Sequence, residues 1–216
     1  MKKFAVILAG CGVFDGAEIH EATLSMYSIM KNGAVYEIFA PDIKQHHVIN
    51  HITGEEMNEE RNVLIESARI ARGKISPMSA FDPEDFDAIL FPGGFGAAKN
   101  LSSFAFQGAE GHIQVSIKKA IQDMNRLGKP IGALCISPVL IAQSLENVDL
   151  TIGSDPGTVE AIVKLGAKHI VTSHGEVIHD KKTNVFTSPC YMLDATILDI
   201  ATGADNIIKA ILNSME

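Results

Sequence analysis

GKPIGALCISPVLIA, residues 128 to 142, decides how the rest of the chain is arranged. Lys129 to Leu134 is a short apolar run opened by a Gly and a Pro, as in a strand buried on both faces of a sheet. Ser137 and Pro138 then introduce a second apolar run, Val139 to Leu145, with helical spacing. Cys135 therefore falls where a central strand hands over to a helix. The unpaired N–H groups and the dipole at a helix start favour a thiolate, which predicts a lowered thiol pKa. Gly132 is expected to leave room for the sharp turn of a nucleophile elbow. The competing reading is a cysteine that only packs, because free cysteines are commonly buried.

Working outward, Phe4 to Ala9 reads as a first buried strand, followed by the turn GCGVFDG. Ala17 to about Lys31 is a helix closed by Asn32-Gly33, and Ala34 to Ala40 is a second strand stopped by Pro41. Strand, helix and strand at this spacing form a βαβ unit and imply a parallel sheet. Residues 42–79 are less regular, with a hairpin in HHVINHITGEEM and a helix over Asn58 to Arg72, and read as an insertion beside the sheet. Asp87 to Phe91 is another buried strand running into PGGFGAAKNL, and Ile113 to Arg126 is a helix. Beyond the Cys135 stretch come a strand-like Leu150 to Ile152 and a helical Thr158 to Leu165. Short strands follow at His169 to Thr172 and Glu176 to His179, then the polar turn DKKTN, with VFTSP closing a hairpin. Met192 to Leu212 reads as helical with a break at Gly203. The pattern is one α/β domain, 1–216, a doubly wound sandwich whose site should lie at the carboxyl ends of its strands.

Composition narrows the function. A 216-residue chain with 46% hydrophobic and 20% charged residues is long and apolar enough for a three-layer core. A formal charge of -8 with no basic block argues against nucleic acid as a partner. Three widely spaced cysteines make neither a disulfide framework nor a zinc pattern, and a reducing compartment fits them. The apolar run in MKKFAVILAGCG, about six residues, is shorter than a secretory h-region. Nothing approaches the ~18 apolar residues of a membrane span. A cytoplasmic protein without membrane contact is the expectation.

Three loops fall at the strand ends: GCGVFDG, PGGFGAAKN and the Cys135 turn. Gly93, Gly94 and Phe95 expose backbone N–H groups that, with that of Ile136, would form an oxyanion hole. Asn100, beside Lys99, is a candidate for holding a carboxylate product. Glycines 10, 12 and 16 give GxGxxxG, off the dinucleotide spacing, and the acidic residue expected after the second strand falls behind Pro41, at Asp42. His46, His47 and His51 match no zinc spacing, so no metal is expected. Cys11 could approach Cys135, whereas Cys190 in SPCYM reads as packing.

The combination FPGGFG … GKPIGALCISP behind GAEIHE resembles the superfamily of the PfpI protease and the Parkinson-disease deglycase, related to class I glutamine amidotransferases. FAPD, INHITGE, ERNVLIESARIARG and PGGFGAAKNL look closer still to the ElbB glyoxalase family, described as amidotransferase-like, over most of the chain. The resemblance implies a homodimeric flavodoxin-like sandwich with a cofactor-independent thiol. It implies conversion of glyoxal or a related 2-oxoaldehyde to the 2-hydroxy acid. Matching GAExxE puts the carboxyl partner of the thiol at Glu21, with Glu18 on the same helix face to support or substitute for it, and a carboxyl buried there should have a raised pKa. His20 is a second candidate base by proximity. The chain departs from the superfamily at Ile136, where many members carry His, and His174-Gly175-Glu176 comes too soon after Cys135 for an amidotransferase dyad. Deglycation, redox sensing through the same cysteine, or an amidotransferase-like role in isoprenoid biosynthesis are the alternatives.

Overall fold

The apolar runs lie side by side as strands. In the computed structural model, which describes residues 1–216, β1 (Lys3–Ile7), β2 (Val35–Ala40), β3 (Ser76–Pro77), β4 (Ala88–Phe91), β5 (Ile131–Leu134), β8 (Ile178–Asp180) and β9 (Val185–Ser188) form one sheet. Its order is β3-β2-β1-β4-β5-β9-β8, with every pair parallel except β8 with β9. β4 and β5 are buried at every residue, as continuous apolar strands covered on both faces must be. The chain winds outward from β1 to β3, returns to β4, and continues the other way through β5, so the order reverses between β1 and β4. This is the flavodoxin-like doubly wound α/β sandwich, and the reversal opens a crevice at the carboxyl ends of the strands.

Two apolar layers hold the sheet. One face packs α1 (Ile19–Lys31) and α8 (Ile197–Asn213) over Phe4, Val6, Leu90, Leu134 and Phe186. The other packs α5 (Val115–Arg126), α6 (Pro138–Ala142) and α7 (Pro156–Lys164) over Ile7, Ile89, Phe91 and Ile131. Short β6 (Asp149–Leu150) and β7 (Lys168–His169) pair with each other in a separate two-stranded sheet. No helix is long and apolar enough to cross a membrane.

Three features differ from the sequence reading. Residues 42–79 do not lie wholly beside the sheet. After the 48–57 hairpin and α2 (Val63–Ile70), Ser76–Pro77 pairs with Phe39–Ala40 as an edge strand. Pro77 lacks an N–H and is tolerated there because the outer side of an edge strand needs no ladder bond. Second, α8 begins at Ile197 behind a Thr196–Asp199 capping box and runs unbroken through Gly203. A Cβ at Gly203 would lie 3.3 Å from both Cys190 Sγ and Ser188 Oγ, so the missing side chain brings the helix close rather than ending it.

Third, Gly132 serves packing and not the elbow. A Cβ there would stand 2.5 Å from Leu90 Cδ1 and 2.9 Å from Ile211 Cδ1, where α8 lies on β5. Gly132→Val is expected to overpack this layer and to cost about 1–3 kcal/mol, read as a lower urea midpoint at unchanged slope.

Candidate active site

Cys135 follows β5 with φ of 58°, in the left-handed region that costs a non-glycine residue about 1–2 kcal/mol. The strain is held by the neighbouring strand end and by the turn after β4. The Cys135 N–H donates to Ser188 O at 3.0 Å, and Ser137 Oγ donates to Pro92 O at 2.7 Å. These bonds fix a sharp strand-to-helix turn, and Cys135 is 6% exposed at its tip.

Glu21 enters from the first turn of α1 and is fully buried. One of its oxygens, Oε2, accepts the Gly93 N–H at 2.8 Å, and Oε1 accepts the Tyr191 N–H at 3.3 Å. A Cβ on Gly93 would come within 2.4 Å of Cys135 Cβ and 2.6 Å of Glu21 Oε2, so only glycine lets thiol and carboxyl meet over this turn. Glu18 is the N-cap of α1. Its Oε2 accepts the Glu21 N–H at 2.7 Å, and its own N–H donates to Gly93 O at 2.9 Å. Glu18 thus fixes the helix start that delivers Glu21, rather than substituting for it.

Burial pushes the Glu21 carboxyl up to about 7, with the Glu18 charge adding to it. Burial also pushes the Cys135 thiol well up, reinforced by the Glu21 charge and opposed by the Gly94 N–H. The lowered thiol pKa expected from the helix start is therefore not found. The helix after the elbow is five residues long, and the buried sulfur faces a carboxyl rather than a cation. Glu21, at about 7, is the acid of the pair that ionises nearer neutrality.

The N–H groups of Gly94 and Ile136 donate to no protein oxygen and flank the Cys135 turn. The Gly93 N–H is engaged by Glu21, and the Phe95 N–H donates to Val13 O at 2.8 Å, so neither is free for a substrate. Asn100 is placed away from this role. Its Nδ2 donates to Ala9 O at 2.9 Å and Asp15 O at 2.8 Å, and its Oδ1 accepts the His46 N–H at 2.9 Å. It clamps the GCGVFDG loop to the 42–79 segment. Asn100→Ala strands these buried groups and is expected to cost about 3 kcal/mol in urea unfolding.

The remaining candidates separate. His20 leans outward, its Nδ1 2.8 Å from Tyr191 Oη and 4.0 Å from Glu18 Oε1. His51 Nε2 accepts the Phe14 N–H at 3.2 Å, and the His46 ring lies tilted against Phe106 with centroids 4.2 Å apart. No group of three or more His, Cys, Asp or Glu side chains is gathered as a metal site would need. His174 is exposed, and Glu176 Oε2 accepts the N–H of Ser173 in its own turn at 2.6 Å. The charged groups that act on Cys11 are Glu66, Arg69, Asp15 and Arg61, and Cys135 is not among them.

The thiol beside Cys135 is Cys190, at φ of 42° on the turn after β9. That turn also supplies Tyr191. Neither residue stands out in sequence, because the adjacency of β9 to β5 is a matter of strand order.

A strained cysteine on a strand-to-helix turn, paired with a buried glutamate at the carboxyl ends of a mostly parallel sheet, fits a class I glutamine amidotransferase-like protein. The comparisons agree. Over 97% of its length the chain is 43% identical to human glutamine amidotransferase-like class 1 domain-containing protein 3, mitochondrial, covering 82% of that protein. It is 42% identical to the rat ES1 protein homolog, mitochondrial, again over 97% of this chain and 83% of the relative. A solved isoprenoid biosynthesis protein with an amidotransferase-like domain from Ehrlichia chaffeensis superposes with a TM-score of 0.93 at 35% identity, each chain covered fully. No protein-family model matches the chain. The chain belongs to the ElbB/ES1 family of class I glutamine amidotransferase-like proteins. The cytoplasmic expectation is overturned by the human, rat and zebrafish relatives, each named mitochondrial. Cysteine spacing and charge carry no compartment address, so composition could not separate the two.

Proposed function

We propose that the chain is a cofactor-independent glyoxalase of the lyase type, converting glyoxal or a related 2-oxoaldehyde to the 2-hydroxy acid. The observation that carries this reading is the buried Cys135–Glu21 pair beside two backbone N–H groups with no protein oxygen as acceptor, that of Ile136 and that of Gly94, which points at the Cys135 sulfur. Glu21 takes the thiol proton as Sγ adds to one aldehyde carbon, and returns it to the new hydroxyl of the hemithioacetal. The carboxylate next removes the proton bound to that carbon, giving an enediol, and delivers it to the neighbouring carbon. The first carbon is now a thioester carbonyl, and the second carries the hydroxyl. Water cleaves the thioester and restores the thiol, so glyoxal plus one water becomes glycolate with no external electron carrier. The Gly94 and Ile136 N–H groups stabilise the oxyanion as it develops. A glyoxalase III from Candida albicans shares the fold, with a TM-score of 0.63 at 15% identity. A small 2-oxoaldehyde is the partner this site would take, and a homodimer is part of the same reading, testable by sedimentation.

The test is glyoxal consumption by the purified chain without glutathione or metal, with glycolate identified as product over many turnovers. A single stoichiometric labelling of the thiol, with no glycolate, would instead favour redox or stress sensing.

A further inference from the structure

An apolar hollow lies away from Cys135, at the β3 edge of the sheet. Because β3 covers only Phe39 and Ala40, the outer side of β2 from Val35 to Ile38 has no partner strand. There the 70–76 segment swings away from the strand and leaves a cavity of ≈ 550 Å³ under α1. Its floor is apolar: Met26 and Met30 from α1, Val35 and Ile38 from β2, and Ile70 and Ile75 from the opposing wall. Met26 and Ile38 are part of the core, whereas Met30 is 56% exposed, so the hollow runs from core to solvent.

Its rim carries charge of one available sign. Glu37 is neutralised by Lys3, whose Nζ is 2.8 Å from Glu37 Oε1. Arg72 and Lys74 stand on the other rim with no acidic partner within 4.0 Å, in a chain whose formal charge is -8. Arg72 is held at φ of 53° by the turn after α2, where its N–H donates to Arg69 O, so its placement is set by the backbone.

An occupant must match an apolar floor of drug-ligand size and two cations at one lip. Strand addition is a poor match. The N–H and C=O groups of Val35, Glu37 and Phe39 face β1 and β3 pairs at Phe39 and Ala40, so the open edge offers little beyond the groups of Tyr36, too few for a ladder. We propose that this hollow binds a medium-chain fatty carboxylate, its alkyl chain along Met26, Met30, Ile38, Ile70 and Ile75 and its headgroup between Arg72 and Lys74.

The experiment is calorimetric titration of the full chain with decanoate below its micelle concentration, beside octanoate, 1-decanol and the double variant Arg72→Gln/Lys74→Gln. One-to-one binding of decanoate is expected, about tenfold tighter than octanoate because two more methylenes are buried. The double variant and decanol should each bind about fivefold or more weakly, and a Met30→Glu variant should abolish binding. Decanoate binding with unchanged affinity in the double variant overturns the headgroup assignment. Absence of one-to-one binding, or occupation of the hollow by a second copy of the chain shown by a Met30→Glu variant that turns a dimer monomeric, overturns the proposal. Glyoxal turnover is not part of the readout, so this result stands apart from the reading of Cys135.

Discussion

Cys135→Ala is expected to lose glyoxal turnover by at least about 10³-fold, because it removes the atom that forms the covalent intermediate. Neither Glu21 nor a bound water replaces that atom, since the thioester that carries the hydroxy-acid carbon has no counterpart without sulfur. The fold should survive. The backbone bond from residue 135 to Ser188 O and the Ser137–Pro92 bond do not involve the side chain. Far-UV circular dichroism and the urea midpoint separate loss of chemistry from loss of structure. Retained glycolate production by a folded Cys135→Ala protein would falsify the mechanism.

Glu21→Gln is expected to lower turnover by about 10²–10⁴-fold, and at the same time to change how stability depends on pH. The carboxyl titrates at about 7 in the native protein against 4.5 when unperturbed. Below both values the native and unfolded carboxyls are equally protonated, so Glu21 contributes no pH slope. Between them the unfolded chain loses its proton and the native one keeps it, and stability falls as pH rises. Above about 7 the loss is complete and amounts to about 3 kcal/mol. The neutral amide has no such slope. The stability of Glu21→Gln relative to the unsubstituted protein should therefore rise between pH 5 and pH 8, read from urea midpoints at both. Turnover in the unsubstituted protein should climb through the same interval as the carboxylate becomes available to take the thiol proton. A flat difference in stability would mean that Glu21 ionises normally, and the general-base role would fail with it.

The same residues show why this site is poised rather than permanently ionised. A thiol buried beside a carboxyl gains no benefit from the helix start behind it, because desolvation and the like charge outweigh the dipole of a five-residue helix. The elbow instead brings together two acids that are both reluctant to ionise. In the proposed mechanism, attack requires one to act on the other.

Local pattern determined a good deal. The apolar runs at Phe4 to Ala9, Ala34 to Ala40, Asp87 to Phe91 and Lys129 to Leu134 specify buried parallel strands, since period and length are properties of the chain itself. The glycines of PGGFG and the break at Gly128-Lys129-Pro130 mark the turns for the same reason. The strand-to-helix hand-over picked out Cys135 and motif resemblance picked out Glu21, and the fold brings them into one buried pair. Tertiary structure alone decided the rest. Cys190 and Tyr191 reach the site because β9 lies next to β5, a pairing between segments far apart in the chain. Asn100 looked like a ligand group, yet it is consumed by Ala9, Asp15 and His46, partners that only chain crossing supplies. Gly203 and Gly132 read as breaks or hinges and proved to be points of close approach, because what a missing Cβ permits depends on what packs against it. Ionisation is of the same kind: the type of residue sets the starting pKa, and burial beside a particular neighbour sets where it ends.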